Sequence, residues 1–307
     1  ETNANYTYKS NIGIGHVRYS TTGNKDDSNK FIQPYYINNN IEFSLAHNGN
    51  IPNYKEIIKT HGLDNCENDS LVICNYITTK KKLGYNFKDI LKRMIVDIKG
   101  IYCLVILFDN KIYYVRDSIG IRPLFINKHD SGYSISSETC AFVNEDKQFI
   151  EVNAGEIGYI DRNTHVIISK PMSKDIYCLF EYIYFMNYKS YKDDQQIESI
   201  RYDFGKLLSK NENIINEDII VCGSPNTGIP SGKGFAFSLN MHYEQFILKK
   251  TTDRSFILPS DSCRRLSNES NLYVNEEYVR NKNVCIVDDS LVRGNTIKVL
   301  IQKLKKI

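Results

Sequence analysis

Residues 284–296 read Val284-Cys285-Ile286-Val287-Asp288-Asp289-Ser290-Leu291-Val292-Arg293-Gly294-Asn295-Thr296. The apolar start predicts a buried strand, which ends in two adjacent carboxylates, Asp288 and Asp289. A turn of small and hydroxyl-bearing residues follows, and the apolar, Lys-rich pattern up to Ile307 predicts a helix. A buried strand followed by a polar turn and a helix is typical of a parallel α/β sheet.

The turn after this strand has the chemistry of a phosphate site. Backbone N–H groups and Ser or Thr hydroxyls at the carboxyl end of a strand can hold a phosphate at the start of the next helix. The adjacent Asp pair suits ribose hydroxyls and a hydrated Mg²⁺. The alternative is an ordinary polar turn, but the order of carboxylate pair, Ser, Gly and Thr favours the phosphate site.

The second half of the chain alternates strands, loops and helices. Its pattern predicts a helix over 197–208, strands over 218–222, 245–249 and 283–287, and a turn-rich loop over 223–234. This alternation favours a parallel α/β sheet.

The first half consists of short strand-like runs separated by turn residues. The runs cover 12–19, 34–37, 42–46, 101–108, 111–116, 133–137 and 157–160, and helical periodicity covers 53–60 and 69–80, the latter capped by Asp69 or Ser70. Closely spaced strands favour packed antiparallel sheets with helices outside, an α+β arrangement. A polar segment with Pro171 separates the two patterns, so we predict domains over 1–170 and 171–307.

The composition of the 307 residues is that of a globular protein. Hydrophobic residues make up 41% and charged residues 24%, which excludes a disordered or fibrous chain. Lys and Arg number 39 against 36 Asp and Glu, without the basic face typical of nucleic-acid binding. No apolar run approaches the ~20 residues that span a bilayer. The 8 cysteines form no CxxC pair and fit a reducing cytoplasm, the location we expect.

Residues 284–296 closely resemble the phosphoribosyl pyrophosphate (PRPP) signature of type I phosphoribosyltransferases, and within that class the glutamine PRPP amidotransferase family. The resemblance implies that Asp288 and Asp289 meet the ribose and Mg²⁺, and that the turn cradles the 5-phosphate. The turn residues concerned are Ser290, Val292, Arg293, Gly294, Asn295 and Thr296.

Two further segments of the second half are similar to this family. Ser224-Pro225-Asn226-Thr227-Gly228 resembles its pyrophosphate loop, which implies a Mg²⁺ contact for Thr227. Lys249 and Arg254 would neutralise pyrophosphate oxygens through charge-assisted hydrogen bonds, although alone each is typical of a solvated surface. The family's basic flexible loop is reduced here to Lys250-Thr251-Thr252-Asp253, which leaves open a PRPP-binding protein without turnover.

The first half resembles the glutamine-amide-transfer domain of N-terminal-nucleophile hydrolases. The motifs are Gly13-Ile14-Gly15-His16-Val17-Arg18-Tyr19-Ser20-Thr21-Thr22-Gly23, Leu45-Ala46-His47-Asn48-Gly49-Asn50, Arg116-Asp117, Gly120-Ile121-Arg122-Pro123-Leu124 and Ser136-Ser137-Glu138. Their order and approximate spacing match the same amidotransferase family. The implied fold is the αββα sandwich of class II glutamine amidotransferases, followed by a type I phosphoribosyltransferase α/β domain.

Hydrolysis of a glutamine amide needs a thiolate nucleophile, a base and donors to the tetrahedral oxyanion. The resemblance implies an oxyanion hole made of the Asn48 side-chain amide and the Gly49 backbone N–H. Arg18 would pair with the substrate α-carboxylate, Asp69 would accept from its α-ammonium, and Thr21 would contact the substrate. Taken alone, the Asn-Gly dipeptide is also a strong hairpin-turn signal.

The family's nucleophile is an N-terminal cysteine whose own α-amine is the base, and this sequence opens with Glu1. We therefore expect an interior piece of a longer protein, without the nucleophile segment and the C-terminal part. Cys178 stands where some members place one of four ligands to a [4Fe–4S] cluster and others keep a cysteine without one. The remaining ligands would lie beyond Ile307, so we do not expect a complete cluster in this chain.

The implied function is amide transfer from glutamine to PRPP, which gives 5-phosphoribosylamine, glutamate and pyrophosphate in the first committed step of purine nucleotide synthesis. The family implies Mg²⁺, feedback inhibition by purine nucleotides and a homo-oligomer, and we expect no nucleic-acid or membrane partner. Two alternatives stay open: a non-catalytic PRPP-binding or regulatory protein, and an amidotransferase with another acceptor.

Overall fold

A computed structural model describes residues 10–17, 31–64, 66–142, 149–170, 176–212, 218–249, 272–291 and 294–307, without the side chains of Asn295 and Thr296. Cα proximity divides the chain into two units, Glu1–Tyr177 and Cys178–Ile307. Each unit has its own hydrophobic core. Among the described residues no helix has both the length and the apolar surface to cross a membrane.

The described part of the first unit contains strands and helices in the order that an α+β fold predicts. The strands are β1 (Tyr35–Asn38), β2 (Glu42–Asn50), β3 (Ile101–Phe108), β4 (Lys111–Arg116), β5 (Phe125–His129), β6 (Gly132–Ser136), β7 (Phe149–Glu151), β8 (Ile157–Ile160) and β9 (His165–Ser169). The helices are α1 (Tyr54–His61), α2 (Asp69–Lys82) and α3 (Phe87–Asp97).

Two antiparallel sheets form the first unit, a six-stranded sheet in the order β1-β2-β3-β4-β8-β9 and a three-stranded sheet in the order β6-β5-β7. Tyr113 and Val115 of β4 pack into the core that contains α2 and α3. The alternate residues Ile112 and Tyr114 pack into a second core with Ile126 of β5. Because side chains alternate across a strand, β4 is buried on both faces, between a helix layer and a second sheet.

The second unit is built around a parallel sheet. Its strands are β10 (Tyr191–Lys192), β11 (Gln195–Gln196), β12 (Ile219–Gly223), β13 (His242–Tyr243), β14 (Ile247–Lys249), β15 (Leu272–Val274) and β16 (Asn283–Val287). Its helices are α4 (Ile197–Ser209), α5 (Ile229–Ser238), α6 (Glu276–Val279) and α7 (Asn295–Leu304), preceded by a π-helical turn over Glu181–Phe185. Strands β13, β12 and β16 are parallel, which confirms the predicted parallel sheet. Strand β16 and helix α7 confirm the strand and the helix predicted on either side of the acidic pair.

Three details of the predicted elements are wrong. The predicted loop over 223–234 becomes helix α5 from Ile229 onward, because its glycines allow close helix packing rather than a loop. Strand β14 pairs antiparallel with β15 instead of joining the parallel sheet. Residues 12–17 belong to no strand among the described residues, although Ile12 and Ile14 pack against the core between the two sheets.

Candidate functional site

The start of helix α2 anchors the candidate glutamine site. Asn68 caps the helix, since its Oδ1 accepts a backbone N–H of the first turn at 2.8 Å and its Nδ2 donates to the Tyr35 hydroxyl at 2.9 Å. The predicted caps, Asp69 and Ser70, are therefore wrong; both lie inside the helix. Because capping does not occupy it, the Asp69 carboxylate faces β2, where its Oδ2 accepts from the Ile51 N–H at 3.0 Å.

Strand pairing sets the direction of the Gly49 N–H. Gly49 lies opposite Tyr102 of β3. Tyr102 donates its N–H to the Asp117 carboxylate at 3.0 Å and accepts the Asp117 N–H on its carbonyl at 3.0 Å. The backbone N–H and C=O of Tyr102 thus face away from β2. Opposite residues of antiparallel strands form either hydrogen-bonded or non-hydrogen-bonded pairs in alternation, and Gly49 and Tyr102 are a non-hydrogen-bonded pair. The Gly49 N–H therefore points away from β3.

The same edge of β2 carries two further donors. The His47 N–H donates to Gln33 Oε1 at 2.7 Å, and the Ile51 N–H donates to Asp69. Strand β1 pairs with β2 only as far as Leu45. The Gly49 N–H therefore lies between two bound donors, beyond the end of β1, and beside the carboxylate expected to receive the substrate ammonium.

The Asn48 side chain lies on the face of β2 opposite to that of the His47 side chain, because successive side chains alternate along a strand. Its Nδ2 donates to Ser137 Oγ, just after β6, at 3.2 Å. A Cβ on Gly49 would lie 2.1 Å from the Ile101 carbonyl oxygen and 2.6 Å from the Tyr102 Cα, so only glycine fits. Both residues are paired within a strand, and the hairpin-turn alternative is wrong.

His47 is buried next to Gly49, one of the two predicted oxyanion donors. It is 4% exposed, and its Nδ1 lies 2.8 Å from Ser70 Oγ. Burial lowers the pKa of His47 to about 4; Asp69 opposes this shift, whereas His16 and Arg122 add to it. The imidazole is therefore neutral near pH 7.

The second candidate site lies where two parallel strands end together. Gly223 of β12 is in register with Val287 of β16, and the Ser224 N–H donates to the Val287 carbonyl at 2.8 Å. A Cβ on Gly228 would lie 2.8 Å from that same carbonyl oxygen. The loop from Ser224 to Gly228, which includes Thr227, is thus packed against the end of β16.

The acidic pair follows directly after β16. Asp289 donates its N–H to Asp288 Oδ1 at 3.1 Å, and its own Oδ2 is buried with no hydrogen-bond partner among the described residues. The pKa of Asp288 is raised to about 6, first by partial desolvation of its carboxyl and second by the adjacent Asp289 carboxylate, although the residue itself is exposed. Ser290 follows the pair, and Gly294, in the left-handed region at φ 69°, opens helix α7.

Several predicted site residues cannot be placed. Arg18, Thr21, Val292, Arg293 and Arg254 lie outside the described residues, as do the side chains of Asn295 and Thr296 at the start of α7. Lys249 ends β14 opposite Leu272. Cys178 is half-buried, and within the described ranges it belongs to no group of three or more metal-ligating side chains.

The chain is similar to known proteins along almost its whole length. A family model described as a glutamine amidotransferase domain matches residues 16–144. The amidophosphoribosyltransferase of Methanothermobacter thermautotrophicus is 31% identical over 97% of this chain and 64% of its own length. That of Methanocaldococcus jannaschii is 32% identical over 96% of this chain and 67% of its own length. The chain belongs to the amidophosphoribosyltransferase family. It spans about two thirds of the length of these relatives.

A solved structure supports the family's fold for this chain. The glutamine PRPP amidotransferase of Bacillus subtilis, complexed with ADP and GMP, matches 95% of this chain and 64% of its own chain, with a TM-score of 0.79 and 29% identity. Over most of its length this chain therefore shares the fold of that enzyme. Motif reasoning missed Gln33 and Ser70, which lie outside the motifs but contact the strand that carries Gly49.

Proposed function

We propose that the complete protein is an amidophosphoribosyltransferase, which converts glutamine, PRPP and water into 5-phosphoribosylamine, glutamate and pyrophosphate at the first committed step of purine nucleotide synthesis. One observation carries the proposal. The Gly49 N–H points outward between Gln33 and Asp69, in a chain whose second unit ends β16 in a carboxylate pair beside a tight loop.

In the first unit the residues act on the glutamine amide. The Gly49 N–H and the Asn48 amide would donate to the oxygen that becomes negative in the tetrahedral intermediate. Asp69, beside them at the start of α2, would accept from the α-ammonium, while Arg18 would pair with the α-carboxylate and Thr21 would contact the substrate.

In the second unit the residues bind PRPP. The turn from Ser290 to Thr296 would hold the 5-phosphate at the start of α7, where backbone N–H groups favour anions. Lys249 and Arg254 would contact the pyrophosphate. Asp288, Asp289 and Thr227 would hold Mg²⁺. The Oδ2 of Asp289, which is buried and has no hydrogen-bond partner in the described part of the chain, fits a hard cation. When bound, the ion supplies positive charge that stabilises the departing pyrophosphate.

The remaining proposals concern regulation and setting. Feedback inhibition by purine nucleotides is supported by the B. subtilis relative, which is complexed with ADP and GMP. A homo-oligomeric state and a cytoplasmic location stay predictions. Whether Cys178 is a ligand to a [4Fe–4S] cluster stays an open question.

The test uses the complete protein encoded by the gene. We expect pyrophosphate release from Mg·PRPP that depends on glutamine, with one glutamate formed for each pyrophosphate. Saturable PRPP binding without pyrophosphate release, with either glutamine or ammonia, would contradict the proposal and favour a protein that only binds PRPP. Glutamine hydrolysis that PRPP does not stimulate, with no pyrophosphate formed, would instead favour another acceptor.

A further inference from the structure

We propose that Gln33 and Ser70 are positioning residues for glutamine hydrolysis, which act through His47 to hold the Gly49 N–H at the edge of β2. The inference rests on the proposed function, because it concerns the oxyanion donor of the same site. Gln33 and Ser70 lie outside the motifs that carry the family resemblance, so only the fold connects them with the reaction.

Three hydrogen bonds join these side chains in a ring. Gln33 Oε1 accepts from the His47 backbone N–H at 2.7 Å, and Gln33 Nε2 donates to Ser70 Oγ at 3.4 Å. Ser70 Oγ in turn lies 2.8 Å from His47 Nδ1. The ring connects the segment before β1, the strand β2 and the first turn of α2. Each connection is between residues far apart in the chain, so none can form until these elements pack.

The His47 imidazole passes this constraint to Gly49. Its Nε2 lies 2.9 Å from the position that a Cβ of Gly49 would occupy, so the imidazole packs directly against the Gly49 backbone. The imidazole is buried and neutral, with its pKa lowered to about 4 mainly by burial. A neutral imidazole has one donor and one acceptor nitrogen, and a Ser hydroxyl can match either role at Nδ1. Loss of Ser70 or Gln33 would let His47 move, and Gly49 with it.

This arrangement predicts a specific kinetic effect. The oxyanion exists only in the transition state and the intermediate, so a displaced Gly49 N–H lowers kcat without weakening ground-state binding of glutamine. Asp69 is held independently, by the Asn68 cap that fixes its helix and by the Ile51 N–H. The substrate ammonium therefore keeps its partner, and KM for glutamine stays near the wild-type value.

The experiment compares Gln33→Ala and Ser70→Ala with the control Tyr35→Phe in the complete protein. Tyr35→Phe removes the hydrogen bond from Asn68 at the same helix start but leaves the ring intact. We expect Q33A and S70A to lower kcat for glutamine hydrolysis about tenfold or more, since small misplacements of catalytic groups are costly. KM, and pyrophosphate release driven by ammonia, should stay near wild type. Ser70→Thr, which keeps the hydroxyl, should recover most of the lost kcat.

Two kinetic outcomes would overturn the proposal: an equal loss of kcat in Y35F, or a rise in KM with kcat unchanged in Q33A and S70A. Amide hydrogen exchange along β2 tests the ring without activity. Exchange at residues 47 and 48 should become faster in Q33A and stay at the wild-type rate in Y35F. Unchanged exchange in Q33A overturns the positioning role even in an active enzyme. If the wild-type protein hydrolyses no glutamine, the proposed function fails. The exchange result alone then shows whether the ring of hydrogen bonds holds β2 in place.

Discussion

Gly49 shows how packing, rather than a turn, can require glycine. Its backbone is part of β2, yet a Cβ there would overlap the carbonyl oxygen of Ile101 and approach His47 Nε2. The pairing that turns its N–H outward also brings the β3 backbone against its Cα. Adding a side chain would therefore separate β2 from β3 at the point where the proposed oxyanion donor is held.

Gly49→Ala should destabilise the protein by about 2 kcal/mol or more, because overpacking against backbone has no flexible side chain to relieve it. Thermal unfolding measures the loss. The control is Gly13→Ala, where a Cβ meets nothing within 4 Å, and we expect a change within about 0.5 kcal/mol. Similar unfolding temperatures for the two variants would show that β2 and β3 are not as closely paired as described.

The buried His47 should make stability depend on pH. Its folded pKa of about 4 lies below the ordinary 6.5, so on acidification the unfolded chain takes up the proton first. Its contribution is present above pH 6.5 and is lost as pH falls toward 4, by up to about 3 kcal/mol. His47→Gln removes this titration. Chemical denaturation from pH 7 to pH 4 should show a smaller loss of stability for H47Q than for the wild type; parallel curves would contradict the buried, neutral histidine.

Asp288 should make PRPP binding sensitive to mild acid. Its pKa of about 6 means that the carboxylate form, which a cation prefers, is lost as pH falls from 7 to 5. We expect the affinity for Mg·PRPP to fall about tenfold over this range beyond the effect of PRPP's own titration. Asp288→Asn serves as the control, because the ligand titrates equally with both proteins. Calorimetric titration should show weaker binding and a flatter pH profile for D288N, and identical slopes would argue against an Asp288 contact.

At the scale of elements, α4 and α5 pack closely through glycines. A Cβ on Gly205 of α4 would lie 1.9 Å from the Ser231 carbonyl oxygen, and one on Gly234 of α5 would lie 2.0 Å from the Tyr202 carbonyl oxygen. Ser231 Oγ also donates to the Arg201 carbonyl at 2.9 Å. Gly234, one of the glycines that made 223–234 resemble a loop, thus lets α5 lie against α4, whereas Gly232 lets α5 lie against Gly223 of β12.

The direction of the stability change in Gly205→Ala tests the close contact between α4 and α5. In an isolated helix this change stabilises by about 1 kcal/mol, but here the added Cβ meets backbone, so we expect a net loss of about 2 kcal/mol. Lys206→Ala on the same helix removes an exposed ion pair with Asp203 and should change stability by less than about 0.5 kcal/mol. A stabilised G205A protein would rule out the close helix contact.

At the scale of the whole molecule, the two candidate sites lie in different units and should be separable by mutation. Asn48→Ala should lower glutamine-dependent pyrophosphate release about 100-fold while the rate with ammonia stays near wild type. Asp288→Asn combined with Asp289→Asn should abolish both rates, because the second reaction itself is lost. Pyrophosphate assays with each nitrogen source measure the difference. An N48A protein that loses both activities equally would contradict the division of labour.

The sequence predicts much of the fold because its strongest signals are local. The apolar run before Asp288 and the nearly continuous apolar runs over 101–108 and 111–116 identify β16, β3 and β4. Prediction failed where local signals conflict with packing, as at the helix start from Ile229 and at the cap of α2. Asp69 and Ser70 are good capping residues in isolation, but Asn68 takes that role, which frees both side chains for contacts with β2 and its neighbours.

By itself the sequence determined which chemical groups are present and in what order: an Asn-Gly pair and an acidic residue in the first half, a carboxylate pair followed by Ser, Gly and Thr in the second. Turn chemistry and apolar periodicity depend on neighbouring residues, so they are readable along the chain. Only the tertiary structure decided that the Gly49 N–H faces outward, because that direction depends on Tyr102 being bonded to Asp117. The roles proposed for Gln33 and Ser70 have the same origin, since their hydrogen bonds join segments that meet only when the sheet and helix pack together.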